Sequence, residues 1–370
     1  MLKGLVGLSK LQPQYHANQQ DLHLASALRA RVYHRLKGIK NRDWQLKLKA
    51  ALLPLVFFLV YALSLNSLSY FGFLSGYAFL GLLMVVIFLN LIHEVCHENL
   101  FENGSFNQVY MYLFDLIGAN SYMWQKRHVI FHHNFPNVSG WDSDIEKSKF
   151  LKVHPSEKGK WLTKYQHFII VLYPFFLLNW FLVRDFKDYF GKNPIVSKIG
   201  AIPREEYVKL FLFKLIFIGY IFIVPVFLTS FSVFQIIWAG VAMFLVAGVF
   251  ALFVLLPPHV NINNQFPEVG ADNELPNSWF LHQLYTANDV NQENWFTRHV
   301  MGNFNFHIAH HLFPKVSYLY AKEVTEEIKG FCAENKLPYK SYSIWKTLSD
   351  HYKLIRNNRN KQFNIWQEDM

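Results

Sequence analysis

The sequence has little charge and almost no cysteine. Charged residues make up 17% of its 370 residues, against about 25% in a typical soluble domain. Two cysteines, 18 glycines and 14 prolines exclude a disulfide-dense scaffold and a collagen-like chain. The 52% hydrophobic content excludes disorder, because it offers enough apolar surface to offset the entropy of the chain. This composition, which includes 36 phenylalanines, argues against an ordinary soluble enzyme and favours one membrane-embedded unit.

Positive charge is concentrated before the first apolar stretch. The net charge is +10, and residues 1–49 contain ten Lys or Arg and two Asp, a net +8. Such a segment can bind nucleic acid or anionic lipid, or it can fix the orientation of a membrane protein. Because an uncharged stretch follows at once, we interpret residues 1–49 as a basic cytoplasmic segment and expect no nucleic-acid partner. No continuous apolar core precedes Ala50, so we predict no secretory signal.

Two long uncharged blocks predict the membrane topology. Residues 50–92 and residues 215–256 contain no Asp, Glu, Lys or Arg. About 20 apolar residues form one spanning helix, so each block predicts a hairpin of two helices. The positive-inside rule then places the N-terminus, the middle loop and the C-terminal region in the cytoplasm. Buried hairpins of a soluble protein are the alternative, and the length of the uncharged runs argues against them. The predicted spans are about 50–66, 72–92, 209–229 and 232–256.

Eight of the 17 histidines fall into three tight groups. Within each group the spacing is i, i+3 or i, i+4, which places the imidazoles on one face of a helix. Adjacent histidines point about 100° apart on a helix, so the doublets can serve two metal ions. Imidazole suits Fe, Zn, Cu or Ni, and eight imidazoles exceed what one ion can use. The groups are His93 and His97; His128, His132 and His133; and His307, His310 and His311.

The histidine groups also limit how a third apolar segment can lie. Residues 168–183 are apolar, but they are only 16 residues long and Pro174 interrupts them. If this segment crossed the membrane, the histidine groups would lie on opposite faces, so we predict an interfacial or re-entrant helix. The predicted fold is therefore an all-α integral membrane protein. It has four transmembrane helices in two hairpins, one interfacial helix, and a cytoplasmic helical cap that holds a dimetal site. We expect residues 50–345 to form the membrane and catalytic domain, and residues 346–370 to form a cytoplasmic tail.

The three motifs resemble those of the membrane fatty acid desaturases. They read HxxxH at 93–97, HxxxHH at 128–133 and HxxHH at 307–311, and they alternate with paired hydrophobic spans. The context of the third motif is similar to the linoleoyl-CoA or front-end branch, which usually has Gln where this chain has His307. The resemblance covers about residues 40–345. Some relatives carry a fused haem-binding domain with a His-Pro-Gly-Gly motif, which this sequence does not contain.

The resemblance implies a diiron centre and an O2-dependent desaturation. It implies that the eight grouped histidines hold the iron ions together with one more, for which His259 is the candidate. The sequence around His259 departs from the family's usual Ala-His-hydrophobic-hydrophobic-Glu pattern. Four acids could orient imidazoles through a ring N–H, or they could be helix caps and surface charges. These acids are Glu94, Glu98, Asp142 and Asp144. His282 and His299 lie near the third motif and are further candidates for this supporting role.

The resemblance also implies partners. The substrate is a fatty acyl chain carried by CoA or lipid, and O2 is the co-substrate. The two electrons come from a separate donor, such as a ferredoxin or a small cytochrome with its reductase. The charge distribution places the active site on the cytoplasmic face. Because the C-terminal Gln-Glu-Asp-Met is not a retrieval signal, we favour a bacterial inner membrane over the endoplasmic reticulum.

Three other functions use related residues. Membrane hydroxylases and ketolases share the histidine motifs but insert oxygen into the substrate. A membrane zinc protease would use the HExxH sequence at 93–97 with Glu94 as general base, but it would leave six clustered histidines unused. A metal transporter would need ligands along its spans, where Asn90 and Gln235 are nearly the only strongly polar side chains.

Overall fold

The computed structural model describes residues 12–145, 151–191 and 195–359, and helices make up most of this part of the chain. Two pairs of two-residue strands lie outside the helices. Gln14–Tyr15 pairs in parallel with Glu274–Leu275, and Asp289–Val290 pairs in parallel with Ser341–Tyr342. The helices outside the four longest ones are Gln19–Lys37, Gly104–Leu116, Ser121–Lys126, Arg127–His132, Trp161–Phe175, Phe176–Asn179, Trp180–Arg184, Asp185–Phe190, Val196–Ile199, Trp279–Thr286, Trp295–His299, His307–Leu312, Tyr318–Tyr320, Ala321–Glu334 and Ile344–Asn357.

Four helices of the described chain are long and apolar enough to cross a membrane. We call them the first span (Asp43–Leu65), the second span (Tyr70–Cys96), the third span (Arg204–Leu228) and the fourth span (Val233–Leu255). An 18-residue stretch of each has a mean hydropathy between 2.1 and 2.5, and each helix exceeds the roughly 20 residues that a bilayer requires. The turns after Leu65 and Leu228 give the two predicted hairpins. The first and third spans begin earlier than predicted, because the helices continue through basic residues at their ends.

Local sequence signals explain where the hairpins turn. The Ser69 side chain accepts a hydrogen bond from the N–H of Gly72 and so caps the second span. Ser232 and Gln235 form a reciprocal capping box at the start of the fourth span. The two hairpins then pack through the second and fourth spans. A Cβ atom on Gly81 would lie 2.0 Å from the carbonyl oxygen of Met243, so only glycine permits this approach.

The third apolar segment is bent rather than straight. Two helical pieces, Trp161–Phe168 and Leu172–Phe190, meet at an angle of 104°. The backbone at the bend packs against the fourth span, where a Cβ atom on Gly248 would lie 2.3 Å from the carbonyl oxygen of Pro174. A broken span and a re-entrant segment both have this shape. The interfacial or re-entrant position of residues 168–183 therefore stays a prediction.

A helical cap covers one end of the spans. The helix Gln19–Lys37 packs on Ala321–Glu334, with Leu28 and Ile328 fully buried between them. Arg31 contributes ion pairs to Glu327 and Glu334, at 2.5 and 2.6 Å. The helix Ile344–Asn357 contacts Trp161–Phe175 and buries Leu354 and Ile355. Chain segments that precede the first span and segments that follow the fourth span thus build the cap together. The predicted domain boundaries stay predictions, and residues 1–11 and 360–370 of the outer segments lie outside the described residues.

Candidate metal centre

Two π-helical stretches present histidines of the first two motifs. Phe88–Ile92 widens the second span just before His93, and Arg127–His132 carries the second motif. In the second stretch the N–H of His133 bonds to the carbonyl of His128, which is five residues earlier. Such widened turns occur frequently at functional sites, and they align residues i and i+5. As a result, His128 and His133 join one histidine group and His132 joins the other, although His128, His132 and Asp144 also lie close enough together to hold a metal ion.

All nine histidines predicted as metal ligands converge, and they form two groups that could each hold a metal ion. The donor atoms within each group all lie within 4.8 Å of one another. The first group is His93, His97, His128, His133 and His310. The second group is His132, His259, His307 and His311.

The Nε2 atoms face each other inside both groups. In the first group, Nε2 of His128 lies 3.2 Å from that of His97 and 3.1 Å from that of His133. His310 approaches His133 to 2.9 Å between the same atoms. The Nε2 atom of His93 is buried and has no hydrogen-bond partner among the described residues.

The second group is equally tight. The Nε2 atom of His259 lies 2.5 Å from that of His307 and 2.8 Å from that of His311. His307 and His311 are 3.1 Å apart between the same atoms. The ring of His132 lies 4.6 Å from the ring of His259, centroid to centroid.

Hydrogen bonds outside the second group determine which ring nitrogen carries the proton. The Nδ1 atom of His259 lies 3.0 Å from the carbonyl oxygen of Thr286. The Nδ1 atom of His311 lies 3.0 Å from Oε1 of Gln283, whose amide nitrogen faces the carbonyl of His133. Carbonyl and amide oxygens only accept, so Nδ1 donates in both rings. The Nε2 atoms of His259 and His311 therefore turn unprotonated lone pairs toward each other.

Burial keeps most of the imidazoles neutral. It lowers the pKa of His259 to about 3. Burial also lowers the pKa of six others well below the usual range, namely His97, His128, His133, His307, His310 and His311. Neutral rings whose lone pairs face each other at about 3 Å repel, and a cation between them removes the repulsion. The residues therefore fit a pair of divalent metal ions of the kind that imidazole prefers.

His132 differs from the other rings because two acids stand beside it. Its Nδ1 atom lies 3.1 Å from Oδ1 of Asp142 and 3.5 Å from Oδ2 of Asp144. Burial opposes charge on this ring, but the carboxylates of Asp144 and Asp142 outweigh burial and raise the pKa of His132 to about 9. A carboxylate on Nδ1 leaves Nε2 as a strongly basic ligand atom. Asp142 is itself held by the N–H groups of Asn137 and Asp144.

The two predicted glutamates have other described contacts. Glu94 is buried, and its carboxylate accepts the N–H of Tyr318 at 3.3 Å. Glu98 forms an ion pair with Lys315 at the surface, where 57% of its side chain is exposed. The contact of Glu98 is that of a surface charge, whereas Glu94 is buried, and an orienting role for either glutamate stays a prediction.

Several supporting residues were missed from the sequence. Gln283 and the carbonyl of Thr286 lie on the helix Trp279–Thr286, far along the chain from the rings that they orient. Asn137 donates to the carbonyls of His259 and Thr286, at 3.2 Å each, and so ties the second motif to the end of the fourth span. His282, which we had named, bonds to the carbonyl of Pro136 at 2.9 Å. No sequence signal marks Gln283, because a single glutamine has no characteristic spacing.

A cavity borders the imidazoles. Its volume is about 170 Å³. Near the histidines it passes Ser143, Asp144 and Arg184, and elsewhere its walls are almost entirely apolar. The histidines that border it are His93, His128, His132, His259 and His307. The apolar wall includes Phe88, Phe114, Ile117, Phe181, Phe244, Ala251, Leu252 and Phe304. This arrangement places an apolar cavity beside the two histidine groups.

Comparison with known proteins adds independent findings. Residues 68–343 match the family model described as fatty acid desaturase. The acyl-lipid (8-3)-desaturase of Physcomitrium patens is 28% identical over 283 residues, which are 74% of this chain and 58% of that protein. The sn-1 linoleoyl-lipid 6-desaturase of Synechocystis is 25% identical over 333 residues, 88% of this chain and 92% of that protein. The acyl-lipid (8-3)-desaturase B of Dictyostelium discoideum is 29% identical over 306 residues, 79% of this chain and 65% of that protein.

Proposed function

The chain belongs to the fatty acid desaturase family, and from that premise we propose that it is an O2-dependent acyl desaturase. The carrying observation is a cavity that leads from apolar walls to nine converging imidazoles. We favour an acyl chain esterified to lipid, since the named relatives include acyl-lipid and linoleoyl-lipid desaturases, with acyl-CoA as the alternative. The similarity to a linoleoyl-lipid 6-desaturase supports the front-end branch.

In this proposal the two histidine groups hold two iron ions. When bound, the iron pair supplies oxidation by O2, in which two hydrogens of adjacent methylenes, two electrons and two protons yield a double bond and two waters. The protein's contribution is position, because an alkyl chain has no polar handle at the reacting carbons. The apolar walls exclude water and hold the chain, while Asp142, Gln283 and the carbonyl of Thr286 keep three ring N–H groups pointed away from the metals.

A separate electron donor completes the proposal. A ferredoxin, or a small cytochrome with its reductase, would dock on the cap side, where positive residues favour an acidic partner. We place this side in the cytoplasm by the positive-inside rule, and the membrane is a bacterial inner membrane in our proposal.

Lipid analysis tests the activity directly. Cells that express the chain should contain a new unsaturated acyl species, and mass spectrometry should locate its double bond. His132→Ala and His310→Ala should each abolish this product and lower the iron content of the purified protein. His34→Ala is the matched control, because His34 is exposed on the cap and should change neither. Full activity of both ligand variants would refute the metal assignment.

The same analysis separates the alternatives. Hydroxylated lipids without unsaturated ones would favour a hydroxylase or ketolase. One zinc per chain, instead of about two iron ions, would favour a metalloprotease. The buried carboxylate of Glu94, which accepts the N–H of Tyr318, argues against its service as a general base for an incoming peptide.

Cysteine labelling tests the topology. Cysteines placed at Ser156 and Ser197, both exposed and on either side of the bent segment, should react with the same membrane-impermeant reagent from the cytoplasm. A cysteine at Leu68, which is fully exposed in the turn of the first hairpin, should react only from the opposite side. The native Cys96 and Cys332 are buried and give little background. Opposite-side labelling at Ser156 and Ser197 would show that the bent segment crosses the membrane.

A further inference from the structure

Three phenylalanines stand together at the cavity, and two of them line its wall. We call Phe181, Phe217 and Phe244 the phenylalanine cluster. The rings of Phe181 and Phe244 line the cavity and stack with centroids 5.1 Å apart. Phe217 is fully buried behind them, with its centroid 5.2 Å from that of Phe181 and 5.9 Å from that of Phe244. Phe244 lies eleven residues before the end of the fourth span, which puts it about 16 Å from that end.

A glycine in the loop that follows the helix Gly104–Leu116 packs directly against Phe217 of this cluster. Gly118 has φ +96°, and a Cβ atom there would lie 2.9 Å from Cζ of Phe217. Gly118 also lines the cavity. Because glycine has no side chain, its backbone can lie directly against the ring of Phe217. A hydrogen bond anchors the start of this loop to the third span, because the hydroxyl of Tyr220 donates to the carbonyl of Leu116 at 2.7 Å.

A buried ion pair braces the same place. The ammonium of Lys214 lies 2.6 Å from the carboxylate of Asp185 and donates to the carbonyl of Gly118 at 2.7 Å. It also lies 4.1 Å from the ring centroid of Phe181. The side chains of Lys214 and Asp185 are only 5% and 2% exposed. One cation therefore joins the third span, the bent segment and the Gly118 loop behind the phenylalanine cluster.

The position of this ion pair calls for a functional reason. Lys214 lies ten residues into the third span, about 15 Å along the helix from Arg204. Ionisable residues at such depth are costly, and they commonly mark substrate paths. A buried ion pair adds little net stability over an apolar pair of similar size. It does fix geometry, and here it fixes the positions of Phe181 and Gly118, which both line the cavity.

We propose that the phenylalanine cluster, braced by Lys214 and Asp185, closes the acyl cavity and determines how many carbons extend beyond the reacting positions. This inference rests on the proposed function, and it adds that the acyl chain lies in the cavity with its methyl end toward Phe244, which lines the wall. A chain that is too long would have to displace aromatic rings in mutual contact. One methylene more or less in an apolar pocket changes specificity about 10–200-fold.

Product chain length tests the wall. Cells expressing each variant are fed a mixture of C16, C18 and C20 fatty acids, and the desaturated products are quantified. Phe217→Leu opens space behind the wall and should raise the ratio of desaturated C20 to C18 product at least about tenfold. Phe244→Trp fills the cavity and should lower that ratio by a similar factor. Phe227→Leu is the matched control in the same span, because Phe227 is 80% exposed, and it should leave the ratio unchanged.

The double variant Lys214→Met with Asp185→Leu tests the brace. It removes both charges together, so that neither is left unpaired, and it should broaden the range of product lengths while desaturation continues. An unchanged distribution in this double variant would remove the ion pair from the proposal. Unchanged ratios in Phe217→Leu and Phe244→Trp would overturn the wall itself. If Phe217→Leu does not accumulate, Phe244→Trp decides alone.

These outcomes are distinguishable from a failure of the proposed function. Unchanged chain-length ratios together with abundant unsaturated product would leave the desaturase assignment intact. A wild-type protein that loads iron but forms no unsaturated product of any length would overturn both.

Discussion

Gln283 holds one metal-facing imidazole by a single hydrogen bond, and its replacement is the sharpest test of how the centre is oriented. Oε1 of Gln283 lies 3.0 Å from Nδ1 of His311, and Gln283 is completely buried. In Gln283→Met the side chain keeps its length but loses the acceptor. The Nδ1–H of His311 is then buried without a partner, which costs about 1–3 kcal/mol.

The ring can avoid this cost by turning, and turning moves Nε2 away from the metal. Loss of such an orienting partner typically lowers metal affinity about 10–100-fold. That range corresponds to about 1.4–2.7 kcal/mol, which agrees with the cost of the unpaired N–H. Gln283→Glu restores an acceptor oxygen at the same reach and should recover most of the affinity.

The assay is retention of iron during dialysis against increasing chelator. The midpoint for Gln283→Met should fall about 10–100-fold in chelator concentration below that of the wild type. Thermal unfolding of the metal-free proteins provides the folding control. A methionine variant that is equally stable, keeps its iron to the same chelator concentration and desaturates at the same rate would refute the orienting role of Gln283.

Two further predictions concern packing and pH. Gly81→Ala should lower the unfolding temperature in detergent, because its Cβ would collide with the backbone of Met243, whereas Gly219→Ala, with open space around it, should not. Metal-free protein should lose stability as the pH falls below about 6.5, since the unfolded histidines take up protons that the buried rings, with their lowered pKa values, refuse. The loss is about 1.4 kcal/mol per pH unit for each such histidine, and for His259 it should continue to about pH 3. His259→Gln should reduce the slope of the unfolding free energy against pH by that amount, measured from unfolding curves recorded between pH 4 and 6.5. An unchanged slope would contradict the lowered pKa of His259.

The membrane hairpins could be predicted from the sequence because hydropathy is a local property. A run of about 20 apolar residues has few alternatives to a spanning helix, and Ser69 and Ser232 mark the turns by capping chemistry. The first residues of the first and third spans were predicted less accurately, because both helices begin before the uncharged run. The bent segment contacts the fourth span where the carbonyl of Pro174 approaches Gly248, more than seventy residues later in the chain.

The metal-binding histidines could be predicted from the sequence, because imidazoles repeated at helical spacing are a strong and specific signal. It did not determine how they divide. A π-helical turn, which local spacing does not reveal, pairs His128 with His133 and sends His132 to the other group. The contacts of Gln283 and Thr286 with the imidazoles, the assignment of the predicted His259 to the second group, the apolar cavity and the phenylalanine cluster all depend on the tertiary structure. These features come from contacts between segments far apart in the chain, and such contacts leave no periodic trace in any one of them.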